Sequence, residues 1–194
     1  MNVKLTIGSC SGKESRHIAY MKVDLSRMQK ESDALIGRVG APVVQCLRLR
    51  TRHLVDCFDG QIVSWSIGTR PDATLVNTIL DDAIGTLSAN DKPVIHSDCG
   101  GHYRWPGWLD RINTSGLIRS MSRKGCSSDN AACEGFFGRV KNEMFYGRNW
   151  AGITLEKFIC FLDRYIRWYN EKRIKLSLGA MSPVKYRQHL GITT

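Results

Sequence analysis

The run Val94-Ile95-His96-Ser97-Asp98-Cys99-Gly100-Gly101-His102-Tyr103 changes character within a few residues. Residues 94–97 read as a short buried strand, Asp98 closes it, and two glycines break the chain directly afterwards. An acid at the carboxyl end of a strand stands where open α/β sheets bind ligands. With 35 residues between them, Glu134 follows in Asp129-Asn130-Ala131-Ala132-Cys133-Glu134-Gly135-Phe136-Phe137. That segment reads as the start of a helix capped by Asp129 or Asn130. Two carboxylates converging from a strand end and a helix can hold a divalent cation for phosphodiester chemistry. Such a site usually needs a third carboxylate from further upstream. His96 and His102 bracket Asp98, and a hydrogen-bonded structural role suits them better than zinc ligation.

Outward from this stretch the signals are regular. Residues 53–58 and 62–67 read as two strands joined by an Asp59-Gly60 two-residue hairpin turn. A helix over 73–87 carries Leu75, Ile79, Leu80, Ala83, Ile84 and Leu87 on one face. Trp105-Pro106-Gly107-Trp108 opens a short helix closing at Gly116, and 117–121 is a further strand. Residues 122–128 form a basic loop containing Arg123 and Lys124. The helix bearing Glu134 runs to about Tyr146 with Gly147 as its stop. Lys141, seven residues after Glu134, falls almost two full turns later and on the same face. Thr154 caps a long amphipathic helix whose stripe is Leu155, Phe158, Leu162, Tyr165, Ile166 and Tyr169. Ser182-Pro183 opens a last short helix ending at Gly191. Hairpin, helix, strand, then helices imply a mixed α/β layer fold.

Composition bounds the rest. A chain of 194 residues, 42% hydrophobic and 24% charged, fits one domain able to fold without staples. No stretch approaches eighteen uninterrupted apolar residues, which argues against a membrane helix. The charge-dotted first thirty residues have no signal-like apolar core, so a cytoplasmic, nucleoid-associated protein is expected. Seven cysteines without a C-x-x-C pair suit free thiols in a reducing compartment. Net charge is +10. Residues 101–194 carry 16 Lys/Arg against 7 Asp/Glu, so the basic excess follows Asp98. Nucleic acid is the natural partner of such a surface.

Taken together, the motifs resemble those of insertion-sequence transposases with a retroviral-integrase-like catalytic core. The run from His96 to Tyr103 resembles the family's second-aspartate motif. Ser120-Met121-Ser122-Arg123-Lys124-Gly125, with Asp129-Asn130-Ala131 and Glu134-Gly135-Phe136-Phe137, resembles its glutamate motif. Asp56-Cys57-Phe58-Asp59-Gly60 and Val63-Ser64-Trp65 match its second and third strands. Tyr165-Ile166-Arg167-Trp168-Tyr169-Asn170, Arg173, Leu178-Gly179 and Ser182-Pro183 resemble its C-terminal signature. The resemblance spans about residues 53–192 and points to the second-frame product of a two-frame bacterial insertion element. It implies a ribonuclease-H-like mixed sheet with flanking helices and additional C-terminal helices. It also implies DNA integration and recombination by metal-dependent strand cleavage and transfer. Asp98 and Glu134 would be catalytic and would bind Mg²⁺ or Mn²⁺. Lys141, Arg123 and Lys124 would hold DNA through its phosphates. The protein would work as a homo-multimer or join intact transposase.

Residues 1–52 depart from the family. The family's first aspartate lies on the central strand, in a Trp, Thr, Asp, Ile, Thr pattern. Counting back by the usual spacing reaches the neighbourhood of Arg38, where no acid stands; Asp24 and Asp33 lack the flanking pattern. The first strand is therefore expected to be lacking or replaced, with residues 1–52 unassigned and an incomplete integrase-like core over 53–192. Two functions follow: a DDE-type transposase that is defective for want of its first aspartate, or a non-catalytic DNA-binding transposase fragment.

Overall fold

The computed structural model describes residues 17–24, 50–68, 73–87, 91–97, 100–122 and 131–192, with the backbone course alone for 17–24. Five strands form one mixed sheet: β1 (His17–Asp24), β2 (Arg50–Asp56), β3 (Ile62–Gly68), β4 (Val94–Ser97) and β5 (Ile118–Met121). Their order is β3-β2-β1-β4-β5. β1 pairs antiparallel with β2 and parallel with β4, and β4 is parallel to β5. The parallel neighbours need crossovers, supplied by α1 (Ala73–Ile84) between β3 and β4 and α2 (Pro106–Thr114) between β4 and β5.

The central strand is thus present, built from residues 17–24, so a replacement stands where the family's pattern is missing. Without it β2 and β4 would each present a row of unpaired backbone groups. The sheet also begins before residue 53, since β2 starts at Arg50. Residues 32–42, where the family spacing points, lie outside the described residues.

The hairpin between β2 and β3 is longer than two residues. Asp56 N donates to Gln61 O at 2.9 Å, so four residues, Cys57 to Gly60, make the turn. Asp56 Oδ1 accepts from Phe58 N and Asp59 Oδ1 from Gln61 N, and Gly60 takes φ +72°. The two side-chain acceptors favour this wider loop over the tight turn that Asp-Gly suggests.

Each face of the sheet carries its own core. On one, α1 and α2 bury Val76, Ile79, Leu80, Trp108 and Ile112 against Leu54 and Ile95. On the other, α3 (Ala131–Arg139) and α4 (Leu155–Glu171) bury Phe136, Phe137, Phe158, Leu162, Ile166 and Tyr169 against Val55, Ile62 and Trp65. Thr154 caps α4 as expected, its hydroxyl accepting from Lys157 N.

The helix after Glu134 departs from the simple reading. It is α-helical only to Arg139, then widens into a π turn over Val140–Phe145, with Tyr146 N donating to Lys141 O. The wider turn carries Met144 and Phe145 both into the core, where Phe145 stacks on Trp150 and meets Phe158 edge-on. It also brings Glu143 to Tyr165 Oη (2.8 Å) and to a bidentate Arg173. The Arg173 guanidinium, helped by the Tyr165 hydroxyl, holds the Glu143 carboxyl below its usual range.

Residues 170–190 clamp the hairpin end. Buried Asn170 donates to Ile62 O and accepts from Ile62 N, both at 2.9 Å, so its amide pairs with edge strand β3 as another strand would. Arg187, on α5 (Pro183–His189) and 3% exposed, reaches Asp56 Oδ2 at 2.7 Å and both oxygens of Asp59. Lys175 Nζ donates to Asp59 O at 2.8 Å and lies over the Tyr169 ring. Among the described residues no helix is long and apolar enough to cross a membrane.

Candidate functional site

The sheet's polarity fixes where a site can form. β1 and β4 run in the same direction, so their carboxyl ends share one end of the sheet. β2 runs the other way, which sends the Asp56–Gly60 hairpin and its Arg187 clamp to the opposite end. The C-terminal signature residues therefore brace the sheet rather than line its carboxyl end.

At the β4 exit, Ser122 N donates to Ser97 O at 2.9 Å. The His96 ring bridges two β5-side hydroxyls, Nδ1 to Ser120 Oγ and Nε2 to Ser122 Oγ, each at 2.9 Å. His96 thus serves as a hydrogen-bonded brace. It ties the strand preceding Asp98 to the strand preceding the loop that leads to Glu134. His102 packs edge-on against Trp105, beyond the turn at Gly101–Arg104.

Glu134 is exposed on α3, and α3 rests on β1. Its neighbours anchor the helix: Cys133, Phe136 and Phe137 are buried, with both phenyl rings against His53 of β2. Burial raises the Cys133 thiol pKa, with Cys57 and Glu134 adding to the effect, so the thiol stays protonated at neutral pH. Lys141 is half-buried, one residue into the π turn on the same continuous helical rod as Glu134. Asp98, Arg123 and Lys124 lie outside the described residues.

The missing acid can be sought by register. Ala19 of β1 lies opposite His96. Two residues past Ala19 stands Met21, as Asp98 stands two past His96 in sequence. The one acid in β1 is Asp24, opposite Arg50 on β2. That is five residues past Ala19, about 16 Å further along the strand. Asp33 lies outside the described residues. Asp56 lies level with Ile18, short of the Ala19–His96 pair, and is held by Arg187. Among the described residues no group of three His, Cys, Asp or Glu side chains could hold a metal ion. Of the expected ligands the described residues contribute Glu134 alone.

Two charged or titratable groups buried beneath this region carry no sequence signal. His53 is fully buried, with both ring nitrogens unpartnered among the described residues, and burial lowers its pKa to about 3. Arg52 is also fully buried, with Nη1 on Tyr103 Oη at 3.3 Å. Read as sequence, Arg52 and His53 pass for the polar positions of a half-exposed strand.

Known proteins now bear on this geometry. Residues 134–190 match the model of the family described as "Integrase core domain". The chain is 60% identical over 139 residues to the probable transposase for insertion sequence element IS1353 of Shigella flexneri. It is 37% identical over 140 residues to the putative transposase InsK for insertion sequence element IS150 of Escherichia coli K12. Each match takes in 72% of the chain. Over these stretches the chain is a homologue of insertion-sequence transposases, and its residues 134–190 match the integrase core family. It spans 27% of the length of the first relative and 49% of the second. Among solved structures, the catalytic core domain of BIV integrase matches with a TM-score of 0.60 at 12% identity, over 92% of this chain and 97% of that one. The HTLV-2 integrase catalytic core, solved in complex with magnesium, matches at 0.54 and 12%, over 91% and 99%. The homologue's fold is accordingly that of the ribonuclease-H-like integrase cores, as the motifs implied.

Proposed function

We propose that this transposase homologue is a DNA-holding strand-transfer core of the DDE type whose carboxylate set is incomplete. Asp98 and Glu134 are its two remaining acids. Lys141, Arg123 and Lys124 contact DNA phosphates, and the chain acts in a multimer, with copies of itself or with an intact relative. Within this reading, residues 1–52 are a replacement for the family's own N-terminal part of the core. The observation that carries it is the register of β1, which has Met21 at the level where a third acid would complete the pair and Asp24 far beyond. The non-catalytic DNA-binding reading gains from the same observation, because a basic surface holds DNA without turnover.

Salt dependence tests the DNA part. Affinity for duplex DNA, read by fluorescence anisotropy, should fall linearly on a log–log plot against salt. Replacing Arg123, Lys124 and Lys141 together with alanine should weaken binding at all sequences alike. It should also lower the slope by up to about 3, roughly one for each phosphate that is no longer neutralised. Binding indifferent to salt and to the triple variant would contradict the proposal.

A further inference from the structure

The far end of the π turn carries an aromatic ring that holding duplex phosphates does not use. Tyr146 closes that turn, its N–H donating to Lys141 O at 2.7 Å, so it follows Lys141 one helical turn further along. Acid, cation and ring thus succeed one another along the rod as Glu134, Lys141 and Tyr146. Tyr146 is 36% exposed, although it is a large aromatic residue at a helix end. Its ring meets Phe145 at 5.9 Å between centroids, and Phe145 is itself buried against Trp150 and Phe158. The exposed ring therefore stands on a fixed foundation. Gly147 then turns the chain at φ +76° and presents Arg148 to water, as Arg139 is presented before the turn. The one acid between Arg139 and Arg148 is Glu143. Arg173 binds it with Nη2 at 2.6 Å and Nε at 2.9 Å, so its charge is answered within the fold.

We propose that Tyr146 is a stacking site for an unpaired DNA base, with Lys141 and Arg148 on the phosphates to either side of it. An aromatic ring among cations is the arrangement that binds single-stranded nucleic acid, because every base has a face to stack and every nucleotide a phosphate. A base inside a duplex is stacked already and has no face to give. The ring therefore adds nothing along an intact duplex and acts where strands part, at a frayed end, a gap or an extension. The basic residues hold duplex and single strand alike through phosphates. Tyr146 is what separates the two. Stacking uses the ring and not its hydroxyl, so phenylalanine should serve in its place and an aliphatic side chain should not.

This inference rests on the DNA-holding part of the proposed function and adds the form of DNA that is preferred. Its test is fluorescence anisotropy of the full chain with a blunt duplex and with the same duplex extended by unpaired thymines. A third probe carries in its extension a fluorescent adenine analogue that stacking quenches. Wild type should bind the extended duplex tighter than the blunt one by on the order of 10-fold and should quench the analogue. Tyr146→Leu, which keeps an apolar contact for Phe145, should lose the preference and the quenching. Its affinity for the blunt duplex and the salt slope should stay unchanged. Tyr146→Phe should retain all of them. A chain that binds neither duplex overturns this inference and the DNA reading together. Salt-dependent binding of the blunt duplex with no gain from the extension overturns this inference alone. So does a Tyr146→Leu variant weakened equally on both probes, or a Tyr146→Phe variant that behaves as Tyr146→Leu does.

Discussion

Arg187→Met is expected to lower unfolding stability by about 4 kcal/mol, the scale seen when one partner of a buried ion pair is removed. Arg187 is 3% exposed and its guanidinium answers two carboxylates, Asp56 and Asp59, that are buried with it. Removing the cation leaves both carboxylates out of water without the guanidinium that contacts them directly, with Lys175 Nζ on the Asp59 main-chain oxygen rather than its carboxylate. Lysine should not substitute, because the bonds run from Nε and Nη2 of one planar fork to two different residues. For a domain of this size the loss corresponds to a fall in Tm on the order of 10 °C. Combining Arg187→Met with Asp56→Asn and Asp59→Asn should recover much of it, since the stranded charges are then gone. A Tm unchanged in Arg187→Met would mean that the clamp is not closed in solution.

His53 should make the fold sensitive to mild acid. Its imidazole is enclosed by Phe136 and Phe137, and burial depresses its pKa from about 6.5 to about 3. Between those values the unfolded chain binds a proton that the folded chain does not. The stability tied to a neutral His53 is therefore complete above pH 6.5 and is lost progressively as pH falls toward 3. At about 1.4 kcal/mol per pH unit, the loss by pH 4 is about 3 kcal/mol. His53→Phe removes the titrating group and keeps an aromatic ring between the same neighbours. Urea unfolding at pH 7 and pH 4 should show a smaller difference in the variant by roughly that amount. Equal pH dependence in both proteins would place His53 in contact with water.

Periodicity carried most of the fold because its helices bury one face and its strands are short and bounded by turn residues. The α4 stripe and the Thr154 and Ser182 caps are local signals, and all three appear in the structure. The π turn was not legible, since its cause is distant: Phe145 must reach Trp150 and Phe158, and Glu143 must reach Arg173. The four-residue hairpin escaped for a similar reason, because Asp59 is claimed by Arg187 from 128 residues away. His17–Asp24 lacks the family's pattern, and nothing local in it marks a central strand. Of the candidate site, the placement of Glu134 and Lys141 along one helical rod was readable from their spacing. The His96 brace depends on one serine in another strand and one just past its end, which no local pattern shows.

The proposed function turns on whether two acids suffice. A labelled duplex carrying the element's end sequence, incubated with the chain in Mg²⁺ and separately in Mn²⁺, tests this most directly. The duplex should be bound, with retention falling as salt rises, and neither strand should be cut with either metal. Strand cleavage that requires metal and disappears in Asp98→Ala or Glu134→Gln would contradict the proposal. It would mean that an acid elsewhere in the chain completes the set.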